Sequence, residues 1–433
     1  MKLWLFQVMF NIRHSYWFIP SAMAIAAIAL AVIMVAADIY FLPDIPSGYE
    51  WLFSSQPDGA RAILSTVAGS TITVAGVVFS MTIMSVSHAT ANYGSRLLLR
   101  FLDDRRNQFS LGTFTATFIY CLLVLRTVSN ADSGADGTDF VPHLAIFVAL
   151  GLSLMSVAVL IAFIHHVPDT IHIGGITADR GRALSERLDT TFPAEPSDSV
   201  DIAFDDASSH TVASENSGYM QALDIDGLVK FARQRDITLQ VLKMPGQFIT
   251  HNAPVFKVAG SLDDFSDCAN EMRQYFSLGR QRTPSQDILF LIEELVQIAA
   301  RALSPGINDP FTANTCMDWL GNGVATVANR PRRAGVVRDS DDAARVFLTA
   351  FDFDDLCDAV FSSLRSYTSQ DYNASMHMAS VFELILSTTI PGANRNAVQR
   401  HAEHYLEDSL TACRSTVDAA KLKSAYTALL ETH

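Results

Sequence analysis

Charge is scarce in this chain. Asp, Glu, Lys and Arg make up 18% of its 433 residues, 49% are hydrophobic, and the mean hydropathy is +0.21. That balance disfavours a wholly soluble fold and predicts membrane spans. Basic residues are the scarcer sign, 31 against 45, for a net charge of −14. Eight basic and nine acidic residues up to His166 leave 23 against 36 beyond it. An acidic second half repels phosphate backbones, so nucleic acid is not expected as a partner. Cysteine is sparse too. Cys121, Cys268, Cys316, Cys357 and Cys413 include no Cys-x-x-Cys, which argues against a disulfide framework and a structural zinc site. Gly-x-Ser-x-Gly, Walker and His-Glu-x-x-His signatures are missing as well, and no cofactor or catalytic residue is expected.

What is present is long apolar runs. Four are long enough for a bilayer, which takes about 20 helical residues: Trp17 to Phe41, Ile63 to Ser87, Phe109 to Val128 and Leu144 to Ile164. The first is too long for the core of a cleaved signal peptide. Lys2, Arg13, Arg96, Arg100, Arg105, Arg106, Arg180, Arg182 and Arg187 fall on one side of these spans. The opposite connections hold one Arg, Arg61, beside Asp132, Asp136 and Asp139. The positive-inside rule then places both ends in the cytoplasm, with the bacterial inner membrane as location. The arm at 1–16 is rich in Trp, Phe and Leu; it lies in the headgroup plane or packs on the bundle.

The second run carries the most information. In "STVAGSTITVAGVVFSMTIMSVSHAT", Thr66, Thr73, Ser80 and Ser87 recur every seventh residue, with Gly69 and Gly76 between them. On a helix they form one narrow stripe. Such a stripe lets another helix approach closely, or it faces a water-filled path where hydroxyls replace part of an ion's hydration. Beyond it, "HATANYGSRLLLRFLDDRRNQF" has no proline and predicts a helix projecting past the membrane. Arg96, Arg100, Arg105 and Arg106 would then ring the cytoplasmic mouth or hold anionic lipid. Asp38 and Arg126, near the outer boundary, are expected to pair between the first and third spans.

Beyond the spans the sequence predicts a cytoplasmic α+β region, making the whole an integral membrane protein of four transmembrane α-helices. A helix leaves the membrane at 167–192 with His165, His166, Asp169 and His172 at its root; adjacent histidines face apart, which disfavours a metal site. An acidic linker follows at 193–210 and a small β-rich module at 211–260, where "TVASENSGYMQALD" reads as two strands about a turn. The rest, 261–433, is mainly helical, with helices over Asp263 to Leu278, Ser285 to Leu303, Pro310 to Ala328, Asp354 to Thr368, Asp371 to Ile390, Ala393 to Thr411 and Thr416 to Glu431. A short strand is expected in "ARVFLTAFDF". His401 and His404 share a helix face without a third ligand.

"RALSPGINDPFTA" looks most like a site. Ser304-Pro305-Gly306 ends one helix, glycine supplying a left-handed torsion, and Asp309 caps the next with Pro310 at its first position. Arg301, Asn308, Asp309 and Thr312 either support this turn or bind a small anion.

The chain resembles the bacterial predicted membrane proteins of domain of unknown function 2254. The likeness rests on "STVAGSTITVAGVVFSMT" through "RLLLRF", on "FIYCLLVLRTV", and on "GYMQALDIDGLVKFA…PGQFI…RTPSQD…RALSPGINDPFTA". It spans nearly the whole chain and implies four spans with a cytoplasmic C-terminal region, and no activity. Leu291, Glu293 and Glu294 depart from the family's pattern, which has glycine, arginine and glutamine there.

Three functions compete. A homo-oligomeric channel lined by the second span accounts for the stripe, the arginine cluster and the lack of a buried charge for proton coupling. A membrane-anchored binding or scaffold module without transport accounts for the α+β region. An enzyme using Arg301, Asn308 and Asp309 lacks a nucleophile–base pair and ranks last. Membrane lipid and further copies of the chain are the expected partners, and the permeant ion or ligand stays open.

Overall fold

The computed structural model describes residues 16–41, 56–94, 104–129, 140–192, 204–206, 209–261, 264–331, 335–349 and 351–432. They form two compact units, one within residues 8–172 and the other from Ile173 onward, which also takes in Asn92–Gly94 at the end of the second apolar helix.

The first unit holds four helices long and apolar enough to cross a membrane: α1 Phe18–Phe41, α2 Pro57–Tyr93, α3 Arg105–Thr127 and α4 His143–Ile171. Each matches the run expected for it, α1 and α3 falling one residue short at Trp17 and Val128, with ends moved by local chemistry. α2 passes Ser87 as expected but stops at Tyr93, where Gly94 takes φ +117°, a torsion that side chains oppose. The rest of the expected projecting helix, 95–103, lies outside the described residues. α3 starts afresh at Arg105, its N-cap Asp104 accepting from the Arg106 N–H at 2.9 Å.

α3 lies at the centre of the unit. Of its apolar stretch 61% is buried, against 17%, 28% and 22% for α1, α2 and α4. Ala27 and Ala31 of α1, Leu64 and Ala68 of α2, and Ala145 and Ala149 of α4 share one core with its Tyr120, Cys121 and Val124. Small side chains at these contacts let the backbones approach, the usual basis of helix association in lipid.

The second unit opens with α5, Ile173–Thr191, separated from α4 by extended backbone at His172. The expected exit helix at 167–192 is thus two helices. Strands β1 Ser209–Ala213, β2 Gly218–Leu223, β3 Thr238–Val241, β4 Phe248–Ile249 and β5 Pro254–Ala259 follow, with α6 Ile225–Arg235 between β2 and β3. Then come α7 Phe265–Met272, β6 Phe276–Gly279, α8 Ile288–Ala302, α9 Pro310–Val327, β7 Val336–Arg338 and β8 Ala344–Phe347. The chain ends in α10 Phe353–Cys357, a π-turn Asp358–Ser362, α11 Ser363–Thr368, α12 Tyr372–Thr388, α13 Ala393–Ala412 and α14 Thr416–Thr432.

The strands form a five-stranded sheet ordered β1-β5-β3-β8-β7 and a three-stranded sheet β4-β2-β6. All pairings are antiparallel except β3 with β8. Two expectations need correction. β1 and β2 do not pair across their turn; β1 joins β5 and β2 joins β4 and β6. The sheets also draw β6, β7 and β8 from beyond 260, so 211–260 does not close on its own. Leu239, Val241, Phe256, Val258 and Val346 pack under Leu228 and Phe231 of α6 and Cys268 and Met272 of α7. The later helices build a second apolar interior around Phe361, Phe382, Tyr405 and Tyr426.

Candidate functional site

α2 buries Leu64, Ala68, Thr71, Ala75, Val78, Thr82, Val86 and Ala89 along one face. Thr66, Gly69, Thr73, Gly76, Ser80 and Ser87 lie on the opposite face, all exposed. Added Cβ atoms on Gly69 and Gly76 would meet nothing within 4 Å, so no described part of the chain covers the stripe. Thr66 donates to the Ala62 carbonyl at 2.7 Å and Thr73 to that of Gly69 at 2.8 Å, turning acceptor oxygens outward. Exposed Ile72, Phe79 and Ile83 flank the stripe on one side, and Val77, Met81 and Met84 on the other. α1 and α4 differ: their outward faces carry Ile25, Val32, Ile33, Leu154, Val157, Ile161 and Ile164.

Of the mouth arginines, Arg96 and Arg100 lie outside the described residues, as does the arm at 1–15. Arg105 and Arg106 are exposed at the start of α3. Arg106 Nη1 lies 3.4 Å from His166 Nδ1, whose Nε2 lies 2.7 Å from Asp104 Oδ2. The His166 ring is thus held between Arg106 and Asp104. His165 faces away, exposed.

Asp38 is not paired with Arg126. It is 3% exposed, and its two oxygens accept from the backbone N–H groups of Leu144 and Ala145, each at 2.9 Å. The N-terminus of α4, preceded by Pro142 with no side-chain acceptor, supplies the positive end that Arg126 was expected to supply. Arg126 is exposed. The membrane unit therefore does contain a buried carboxylate, contrary to the sequence expectation.

The turn after α8 has the expected parts with one exchanged. Asp309 caps α9, accepting from Thr312 N at 3.1 Å and Thr312 Oγ1 at 2.6 Å, and its own N–H reaches the Ala302 carbonyl at 2.8 Å. The left-handed residue is Asn308, φ 51°, not Gly306. Asn308 is exposed and Arg301 half-buried, and the Asp309 and Thr312 side chains are spent on the cap.

One cluster was not singled out from sequence. Arg282 clasps Asp287 with Nε at 2.7 Å and Nη2 at 3.1 Å, and reaches Glu293 with Nη1 at 2.7 Å. Asp287, 3% exposed, also caps α8 at the Phe290 N–H. Burial works against the guanidinium's charge, but the bonds from Asp287 and Glu293 outweigh it and hold the group above its usual range. Gly246, at φ +95°, passes so close that an added Cβ would sit 2.2 Å from Asp287 Oδ2. Gln286 fastens the neighbouring strand through the Leu223 N–H and carbonyl. The family-like stretches "PGQFI" and "RTPSQD" thus meet at one buried ion pair. The departures on α8 are engaged too: Glu293 by Arg282, and Glu294, 2% exposed, by Arg180 Nη1 at 3.3 Å. The local signal was the Arg-x-x-x-x-Asp spacing ahead of an apolar helix, which does not announce that a distant glycine closes over it.

Four apolar helices and an attached α+β unit define a membrane protein of mixed architecture. The chain belongs to the family described as predicted membrane protein (DUF2254), whose model matches residues 13–383. An uncharacterized protein of Mycobacterium tuberculosis (strain CDC 1551 / Oshkosh) is 30% identical over 373 residues, covering 80% of this chain and 68% of the relative. An uncharacterized protein of Mycobacterium bovis (strain ATCC BAA-935 / AF2122/97) is 29% identical over the same shares. No solved structure matches the chain.

Proposed function

We propose that the protein is a homo-oligomer of the bacterial inner membrane in which the second span of each copy turns its hydroxyl stripe toward a shared axis and lines a pore for small ions. The α+β unit then lies in the cytoplasm, where the Lys and Arg distribution puts both chain ends, and controls the pore. One contrast carries the reading. α1 and α4 present mainly large apolar side chains outward, with Gly151 and single alanines scattered among them, whereas α2 lines up Thr66, Gly69, Thr73, Gly76 and Ser80 in one stripe between apolar borders. Small residues favour close contact between neighbouring helices, and outward hydroxyl oxygens suit a hydrated path.

Single cysteines at positions 73 and 80, in a chain whose five native cysteines are replaced, are expected to cross-link between copies in the membrane. A cysteine at Leu154, exposed on α4, is not. Planar-bilayer recording should show a conductance that Thr73→Leu with Ser80→Leu abolishes. A monomeric particle, with positions 73 and 80 labelled from lipid and no conductance, would refute the proposal.

A second reading is favoured by a groove of about 640 Å³ in the α+β unit, lined by Ser217, Phe248, Arg273, Phe276, Ser277 and Arg280. On that reading the spans anchor a binding module. It predicts that charge reversal at Arg280 removes partner capture while leaving any conductance intact.

A further inference from the structure

The membrane unit holds a second row of polar groups, and it faces inward. Asn107, Ser110, Thr113 and Thr117 recur along one side of α3, all buried. Ser110 and Thr113 donate to carbonyls four residues back, at 2.8 and 2.9 Å. Thr117 instead meets Ser156 of α4 at 3.2 Å, both buried. Ser156 gives its own hydrogen to the Leu152 carbonyl at 2.8 Å, so Thr117 is the donor.

Ionisable groups stand at both ends of the row. At the Asn107 end lie Asp104 and His166, 2.7 Å apart. Beyond Thr117, the buried Tyr120 hydroxyl donates to the Ala145 carbonyl at 2.9 Å, and the Ala145 N–H donates to Asp38 at 2.9 Å. From Asn107 to Tyr120 the helix rises about 20 Å, most of the hydrocarbon thickness.

An independent observation points to what fills the gaps. Asn107 Oδ1 is fully enclosed and has no hydrogen-bond partner among the described residues. A buried amide oxygen left unsatisfied is costly, and water is the smallest group that satisfies it. Neighbours on one helix face stand about 5–6 Å apart, a gap that one water closes with two hydrogen bonds.

We propose that each subunit conducts protons along a water-bridged hydrogen-bond chain on the inner side of its third span, between the Asp104–His166 pair and Asp38. A proton taken up at one end is passed as each hydroxyl or water oxygen accepts one hydrogen and releases another; the Ala145 carbonyl and N–H only hold Tyr120 and Asp38 in place, and the step between those two side chains is carried by water. An equal proton leaves to water at the other end, and every side chain returns to its starting state. No oxidant, reductant or covalent intermediate is required. The path lies within one chain and does not depend on subunits meeting along α2.

The test is proton flux into vesicles of purified full-length protein carrying an entrapped pH-sensitive dye, with a potassium gradient and valinomycin setting the voltage. The wild type is expected to exceed protein-free vesicles. Thr117→Val, equal in shape but without the hydroxyl, should lower the flux about tenfold, the effect of one lost hydrogen bond at a rate-limiting step. Thr117→Ser should keep it, which separates loss of the path from loss of folding. Thr73→Leu with Ser80→Leu should also keep it, although that pair blocks a second-span pore. Flux no faster than in protein-free vesicles, or equal flux in wild type and Thr117→Val, overturns the proposal. Loss confined to the Thr73/Ser80 pair overturns it too, assigning the protons to the second span.

Discussion

Replacing Asp38 by alanine isolates what one buried carboxylate does for a helix that starts without a side-chain cap of its own. Its two oxygens accept separate backbone bonds from Leu144 and Ala145, both at 2.9 Å. Pro142 provides no side-chain cap, so α4 takes its cap from α1. A hydrogen bond to a charged acceptor contributes about 1.5–3 kcal/mol, and N–H groups abandoned away from water add their desolvation cost. The expected loss is about 3–5 kcal/mol, larger than the ~1 kcal/mol of an ordinary surface cap. Asn should recover about half, because its amide offers one oxygen where the carboxylate offers two. The assay is reversible SDS unfolding of the purified protein in mixed micelles. Arg126→Ala should stay within about 0.5 kcal/mol of wild type, being exposed and unneeded by Asp38. Exchanging the two charges should restore nothing, since an arginine at 38 presents donors to donors. Recovery on exchange, or equal losses from Asp38→Ala and Arg126→Ala, would refute the capping account and reinstate an ion pair.

Three further outcomes follow from the α+β unit. Arg282→Ala leaves Asp287 buried without its cation and should cost about 3–5 kcal/mol, with lysine recovering only part because it cannot form the two-toothed contact; denaturation followed by Trp319 fluorescence would measure it. Gly246→Ala meets both a left-handed torsion and the Asp287 carboxylate, and should destabilise by about 2–4 kcal/mol, whereas a cost below ~0.5 kcal/mol would mean the turn relaxes freely. His401 is buried with Nδ1 unpartnered among the described residues and Nε2 3.2 Å from Asp358 Oδ1 but off-line for a hydrogen bond. Burial lowers its value below the ordinary 6.5, against the opposing pull of Asp358. Its stabilising contribution is therefore present above pH 6.5 and falls away on acidification, because the unfolded imidazole takes a proton first. Melting temperatures between pH 8 and pH 5 should drop more steeply in wild type than in His401→Gln, and parallel curves would remove His401 as the cause.

The fold was legible wherever the signal was local. Apolar runs located the four helices long enough to cross a membrane, and helical periodicity located the later ones, at whose starts Asp287, Asp309 and Asp371 accept from the backbone. It failed where a partner was remote. Phe276 to Leu278 continues a helical period from α7, yet β2 recruits it as a strand, and nothing near residue 276 records what Leu223 offers. The Glu-Asn-Ser-Gly turn exists, with Ser214 Oγ bonding the Asn216 carbonyl, but the strands it joins pair with others. Asp38 was assigned to Arg126 because side-chain charges are visible in a sequence and the positive end of a helix is not. Asn308 took the left-handed position because Asn tolerates it almost as Gly does, so the motif fixed the turn and not which residue bends.

The second and third spans show why composition alone leaves a membrane site half-defined. Both carry serine and threonine at helical spacing, and nothing in either periodicity distinguishes a row that faces the bundle from one that faces away. The difference comes from neighbours. α3 is flanked on several sides, so its row meets Ser156 and the enclosed Asn107 oxygen, and the polar groups must satisfy one another or hold water. α2 spends Ala60, Leu64 and Ala68 on the core shared with Tyr120 and Val124, which leaves Thr66, Gly69, Thr73, Gly76 and Ser80 on the outer surface. Each outward hydroxyl can be satisfied by its own helix, as Thr66 and Thr73 are, so exposure to lipid would be tolerable one residue at a time. A whole stripe bordered by Phe79, Ile83 and Met84 is harder to account for that way, because lipid contact alone gives no reason to keep the middle of that face small. Lengthening the stripe one residue at a time, Gly69→Leu and then Gly76→Leu, separates the cases. A face that meets only lipid should accept both changes without loss, whereas a face that meets another copy should lose its cross-link at position 73 with the first.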